Sequence, residues 1–483
     1  MLKSVDANNH FPPGFVWGVA TSAFQIEGAA VLDGKGPSIW DEFCRISGAI
    51  ADATDGSIAC DHYHRWEKDL DLISQMGVDA YRFSVSWPRV RPGGQGAWNE
   101  KGLAFYDRLI DGLLARGIKP YMTLNHWDLP AELQALGGWA QRDTVQRFVE
   151  YAQGMAQRVG DRVPAITTHN EPWVMAMLGH ETGTFAPGVK HRATAMQVAH
   201  HLLLSHGLAL QAMRAQGCQA KLGIVLNVSP VQPATETAAD LEKAQLEDGR
   251  LVRWYMDPLF KGCYPADVLE HLGADAPQVQ AGDMQAISTP MDFLGINYYS
   301  RSVVSADDDW KVNDSGYGIT DMGWEIYPRG LTDVLLRLQH DYAVPPLYVT
   351  ENGGAFKDTL VDGRIHDGER TDYIARHIDA VGEAIRQGVR MEGYMVWSLL
   401  DNFEWASGHE KRFGIVHVDY ATQTRTPKDS ALWYGDFLRR QKTLQFQHAH
   451  NTALPTQSAK PSATPSATQS APQGIVAAAN NGD

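Results

Sequence analysis

Short apolar runs alternate along the chain with longer stretches whose apolar positions recur every three or four residues. Eight runs have the length and the β-branched or aromatic content of buried strands: VWGVATS (16–22), AYRFSV (80–85), KPYMTLNH (119–126), PAITTHN (164–170), KLGIVLN (221–227), MDFLGIN (291–297), PLYVTE (346–351) and EGYMVWS (392–398). Between them, segments such as RWEKDLDLISQMG (65–77) and KGLAFYDRLIDGLLARG (101–117) carry the spacing of amphipathic helices. Eight strand–helix units in succession predict an α/β fold, a single-domain (β/α)8 TIM barrel. A doubly wound open sheet is the alternative. It would have fewer units and often a Gly-rich first turn, and the chain contains no GxGxxG.

The pattern changes near residue 450. There the chain reads TALPTQSAKPSATPSATQSAPQG, too poor in large apolar residues to pack a core. The expected organisation is a catalytic domain over 1–445 and a low-complexity, disordered tail over 446–483.

Composition narrows the function. Lys plus Arg is 42 against 57 Asp plus Glu, a net charge of −15 that repels phosphate backbones and anionic lipid. Nucleic acid and membrane are therefore not expected partners. The N-terminus has no signal-peptide-like apolar region and no stretch of about 18 apolar residues occurs, which predicts a soluble cytoplasmic protein. Cys44, Cys60, Cys218 and Cys263 lack CxxC spacing and read as buried reduced thiols. The sequons at Asn227 and Asn313 read as chance matches, and no coiled-coil heptads point to an oligomeric state. His200, His201 and His206, and the acidic run Asp307, Asp308 and Asp309, lack metal-ligand spacing and read as structural.

Polar and aromatic residues cluster at the ends of the strand runs: Gln25 after the first, His126 and Trp127 at the third, Asn170 and Glu171 at the fourth. Later runs end with Asn297, Glu351 and Trp397. In a TIM barrel such positions converge on one mouth. Glu171 and Glu351 are candidates for the carboxyl pair that glycoside cleavage needs, one to protonate the leaving oxygen and one to act from the opposite face. The 14 Trp and 17 Tyr supply flat faces that suit sugar rings as well as ordinary packing.

The contexts THNEPW (168–173) and YVTENGGAF (348–356) occur in order with FPPGFVWGVATSAFQIEG, YRFSVSWPRV, LNHWDLP, GINYYSR, MGWEIYP, VWSLLDNFEWASGHEKRFG and RTPKDSALWY. Taken together, these segments resemble glycoside hydrolase family 1, the β-glucosidase family, from the N-terminus to about residue 440. The resemblance implies a retaining β-glycosidase without metal or organic cofactor. Its substrates would be terminal β-D-glucosyl residues of oligosaccharides or aryl and alkyl β-glucosides, with β-fucosidase and β-galactosidase side activity, in the setting of cellulose and polysaccharide degradation.

It implies further that Glu351 is the nucleophile and Glu171 the acid/base, that Arg82 hydrogen-bonds the nucleophile and that Tyr299 orients it. Gln25, His126, Asn170 and Glu404 match hydroxyl-binding positions, with Asn170 on the 2-OH. Trp397 and Trp405 match aromatic surfaces. Trp127, Asn297, Trp324 and Phe413 stand close to these positions, Trp324 towards the aglycone side. Phe24, His169 and His409 depart from the family's usual residues near the sugar site.

Two other readings remain in view. A 6-phospho-β-glycosidase would keep Lys411 but put Ser at Glu404 and Tyr at Phe413. A non-catalytic sugar-binding barrel would need neither Glu.

Overall fold

The computed structural model describes residue 5 and residues 11–307 and 316–453, with side chains to residue 444. Each of the eight apolar runs forms a strand: β1 (Val16–Ala20), β2 (Ala80–Ser84), β3 (Lys119–Asn125), β4 (Ala165–Asn170), β5 (Lys221–Asn227), β6 (Phe293–Asn297), β7 (Leu347–Asn352) and β8 (Met391–Trp397). They close into a parallel barrel in which each strand pairs with its neighbours in sequence and β8 with β1. The strands are buried on both faces, which is why they read as near-continuous apolar runs instead of alternating ones.

The long helices α1 (His62–Met76), α2 (Glu100–Ala115), α3 (Arg142–Val159), α4 (Arg192–Ala215), α5 (Ala238–Asp248), α6 (Pro328–Asp341), α7 (Gly368–Arg386) and α8 (Asp429–Ala453) follow the strands in turn. Apolar residues between strands and helices form the main core. A smaller cluster that includes Val16, Ala80, Tyr121, Ala165, Phe293, Tyr348 and Met395 fills the barrel interior. Large rings fit there because small residues face them: a Cβ added at Gly393 would lie 2.7 Å from the Tyr348 ring.

The register brings the C-terminal strand ends to one rim. Ala20 pairs with Trp397, Asn227 with Asn297, and Asn297 with Glu351. Shifts in pairing between Thr167 and Asn170 and between Ile296 and Asn297 re-aim the last residues of β4 and β6, a common use of bulges beside active sites.

Behind this rim lies a buried, charge-balanced network. Lys428 Nζ donates to Asp358 at 2.5 Å and to Asp401 at 2.7 Å, Arg370 pairs with Asp358 and Asp367, and Arg412 pairs with Asp401 at 2.6 Å. It ties the segment after β7, the start of α7, the loop after β8 and the entry to α8. Asp401 also accepts the Gly414 amide, and Arg370 donates to the Arg412 carbonyl, so the backbone on both sides of Phe413 is held.

The segment Met1–Arg440 is one compact unit and Gln441–Asp483 a second. Helical backbone reaches Ala453, some residues into the expected tail, and Pro455 lacks the amide N–H a helix interior uses. The rest of the expected tail lies outside the described residues, as do Asn313, Asp308 and Asp309. The cysteines are free, but only Cys60 is buried; Cys44 and Cys218 are half-buried, and Cys263 is exposed in the turn after a helix, where no core demands it.

His200 bonds Tyr264 and Asp283, and His206 bonds Thr168. Among the described residues no group of three or more His, Cys, Asp or Glu side chains could hold a metal ion, and no helix is long and apolar enough to cross a membrane.

Replacing Lys428 by Met should leave Asp358 and Asp401 short of a buried cation and cost roughly 3–5 kcal/mol of stability. Denaturant titration of the two proteins measures this, and an unchanged midpoint would show that the network does not hold the rim.

Candidate active site

A cleft of about 440 Å³ opens at the C-terminal rim. Of the residues singled out from sequence, His126, Trp127, Glu171, Asn297, Tyr299, Trp324, Glu351, Trp397, Glu404, Trp405 and Phe413 line it. Gln25, Arg82 and Asn170 are buried behind that wall and act on it through hydrogen bonds.

Glu351 is the second-last residue of β7 and is 2% exposed. Its Oε1 accepts from Arg82 Nη1 at 2.6 Å and its Oε2 from the Tyr299 hydroxyl at 2.6 Å. Arg82 is itself fixed, donating to Asn170 Oδ1 at 2.7 Å and Thr123 Oγ1 at 3.2 Å. Glu171 follows β4 and is 5% exposed; its Oε1 accepts from Asn297 Nδ2 at 2.6 Å. Thr350 orients Asn297 by donating to its Oδ1 at 2.7 Å. The two carboxyls are thus joined by the bridge Asn297, Asn170 and Arg82.

Burial raises the pKa of both acids, but they are not equivalent. Burial first, and then the negative charge of Glu351, push Glu171 up to about 8. Burial also raises Glu351, and there the Arg82 charge and the Tyr299 and Arg82 hydrogen bonds oppose it. The proton retained by the pair therefore sits on Glu171.

Asn170 Oδ1 accepts from both Arg82 and Asn297, so its amide nitrogen faces His126 Nε2 at 3.1 Å. His126 is kept neutral, first by burial and then by the Arg82 charge. If Nε2 accepts from Asn170, the ring proton lies on Nδ1, a buried atom with no hydrogen-bond partner among the described residues. On another part of the site Gln25 Nε2 donates to Glu404 Oε2 at 3.2 Å and is anchored by Asn402 and the Phe403 carbonyl. Burial, and then the charge of Glu351, push Glu404 up to about 8.

Aromatic rings complete the surface. Trp405 packs on Trp127 with centroids 4.6 Å apart, and His126 stacks on Trp397 at 5.7 Å. Tyr299, Trp324 and Phe413 form a second group, with Trp324 at the rim. Trp127, Glu171 and Trp405 have φ of 81°, 49° and 50°, in the left-handed region that non-glycine residues seldom occupy and that clusters at functional sites. Trp127 also donates from Nε1 to the Asn170 carbonyl at 2.8 Å, holding the backbone just before Glu171.

The three departures noted from sequence do not line the cleft. Phe24 stacks behind Trp405, His409 stacks on Tyr420, and His169 packs on Phe148 and bonds Ser205 on the helix side of the barrel. Lys411 donates to the Asp321 carbonyl at 2.7 Å, lies 3.3 Å from its carboxylate and is absent from the lining. Sequence reasoning missed Trp173, Leu178, Phe185, Asn227, Glu247, Leu251 and Arg301, which line the outer cleft. Trp173 and Arg301 end the segments THNEPW and GINYYSR and Asn227 ends a strand, so their positions could have marked them, whereas Leu178, Phe185, Glu247 and Leu251 come from segments after β4 and β5 that carry no short motif.

Residues 7–443 match the sequence model of Glycosyl hydrolase family 1. Beta-glucosidase A of Acetivibrio thermocellus is 46% identical over 442 residues, covering 89% of this chain and 98% of its own. A bifunctional beta-D-glucosidase/beta-D-fucosidase of Bifidobacterium breve is 41% identical over 459 residues, 89% of this chain and 98% of its own. The beta-glucosidase of Thermotoga maritima in complex with glucoimidazole superposes with a TM-score of 0.87 at 44% identity, covering 90% of this chain and 99% of that one.

Titration of the buried carboxyls by carbon-13 NMR should find Glu171 losing its proton near pH 8. Glu351→Gln should lower that value without restoring an ordinary one, because it removes the neighbouring charge and leaves the burial. An unmoved Glu171 would mean that the two acids do not interact.

Proposed function

The chain belongs to glycosyl hydrolase family 1, and from that premise we propose that Glu351 is its nucleophile and Glu171 its acid/base. It is a retaining β-glycosidase, a β-glucosidase, and works by double displacement. The observation that carries the assignment of roles is the unequal hydrogen bonding of the two acids: Glu351 receives a guanidinium and a phenol, Glu171 one neutral amide.

In the first step the Glu351 carboxylate attacks the anomeric carbon while the Glu171 carboxyl gives its proton to the glycosidic oxygen, and the aglycone leaves as an alcohol. Arg82 and Tyr299 hold Glu351 in place and keep it ionised. Once Glu351 is an ester its charge is gone, and the second-largest cause of the raised Glu171 pKa goes with it. Glu171, now a carboxylate, takes a proton from the water that attacks the same carbon, and Glu351 departs. Two inversions give net retention.

The sugar's hydroxyls are read by His126 and by Glu404, which Gln25 holds from behind the wall, and Trp397 and Trp405 supply its aromatic floor. Asn170, behind the wall, aligns Arg82 and His126 on the side of the site expected to take the 2-OH. An acidic side chain at 404 favours an unphosphorylated sugar, and the engagement of Lys411 by Asp321 supports the same reading over a phosphoglycosidase. β-Fucosides and β-galactosides are side substrates, and the bifunctional Bifidobacterium relative supports the first. The four free cysteines support a cytoplasmic setting, with short cellulose-derived oligosaccharides among the natural substrates.

Wild type should hydrolyse an aryl β-glucoside, with kcat/KM falling above about pH 8 as Glu171 loses its proton. Glu351→Gln should abolish turnover. Glu171→Ala should lower it by about 10²–10⁴-fold, with azide restoring turnover as a β-glycosyl azide. Activity confined to the 6-phospho-β-glucoside, or full activity of Glu351→Gln, would overturn the reading.

A further inference from the structure

Two π-helical segments help to build the outer cleft. Val174–Glu181, just after Glu171, contributes Val174 and Leu178, and Gly249–Arg253, continuing α5, contributes Leu251. Such segments are rare and often mark functional sites. Arg250 links the two by donating to Glu181 Oε2 at 2.5 Å.

Glu247 is the more distant partner of the same Arg250. The last turn of α5 brings it to the cleft lining, its side chain is 39% exposed, and its carboxylate is 3.7 Å from Arg250, beyond hydrogen-bond range. Arg301, also in the lining, is neutralised inside the wall: it donates to both Glu325 oxygens, at 2.6 and 2.9 Å, and to Gln232 at 2.8 Å. Among the described lining residues, the acidic and basic side chains besides His126 are those of Glu171, Glu351, Glu404, the paired Arg301 and Glu247, and of the carboxyls Glu171 and Glu404 are pushed up to about 8. The outer cleft thus combines an apolar wall with one carboxylate whose partner among the described residues is the 3.7 Å ion pair with Arg250.

On the β-glucosidase reading of the site, we propose that Glu247 is a charge selector for the leaving group, favouring neutral or cationic aglycones over anionic ones. The apolar wall takes an aryl or alkyl group, and the carboxylate repels a negative substituent across a partly water-excluded gap while accepting from a hydroxyl or ammonium group. Salt weakens a repulsion of this kind.

The test compares kcat/KM for 4-carboxyphenyl β-glucoside with that for 4-carbamoylphenyl β-glucoside, near-isosteres that differ in charge. The anionic-to-neutral ratio should rise by about 3- to 10-fold in Glu247→Gln, and in wild type it should rise with ionic strength towards the variant's value. Glu242→Gln, at an exposed position on the same helix, alters net charge equally and should leave the ratio unchanged. A ratio unmoved in Glu247→Gln, or moved as far in Glu242→Gln, would overturn the proposal. Failure of wild type to cleave either compound would instead remove the glucosidase reading beneath it.

Discussion

Two buried carboxyls in one cleft cannot both carry full charge cheaply, and the protein resolves this by giving them different partners. Glu351 is met by Arg82 and Tyr299, so its anion is compensated; Glu171 is met by the amide of Asn297 and keeps the proton. Exchange of these partners would exchange the protonation states, and with them the proposed roles of nucleophile and acid. The bridge through Asn170 makes the two sites one unit, since Asn170 accepts from Arg82 on one side and from Asn297 on the other.

The barrel exists, in functional terms, to hold that bridge still. Arg82 comes from β2, Asn170 from β4, Asn297 from β6 and Glu351 from β7, so the arrangement depends on closure of the whole sheet. Register shifts in β4 and β6 and the left-handed backbone at Glu171 set the final direction of these side chains. Outside the sheet, the network around Lys428 anchors the loops carrying Glu404 and Phe413 to α7 and α8. Site geometry and buried ion pairing are thus parts of one structure.

Much of this was legible in the sequence, for a physical reason. A strand buried on both faces must be apolar along its length, so eight such runs marked the barrel, and the polar residues ending them marked its mouth. The proposed carboxyl pair stood out because the contexts around Glu171 and Glu351 came in order with many others. What stayed hidden depends on geometry that periodicity does not encode. The π-helical turns at Val174–Glu181 and Gly249–Arg253 look like ordinary helix in sequence, so Leu178 and Leu251, and Glu247 in the turn of α5 just before the second, gave no sign of facing the cleft. Nor could sequence tell that His169 would point to Phe148 and Ser205, because a bulge near the end of β4 decides which side each residue takes.

The better-compensated acid, Glu351, is the one proposed to bond to the sugar. Incubation with 2-deoxy-2-fluoro-β-glucosyl fluoride, whose glycosyl ester hydrolyses slowly, followed by digestion and mass spectrometry, locates that bond directly. One fluoroglucosyl group per chain is expected, on Glu351. A label on Glu171 or Glu404, or fluoride release with no covalent adduct, would contradict it.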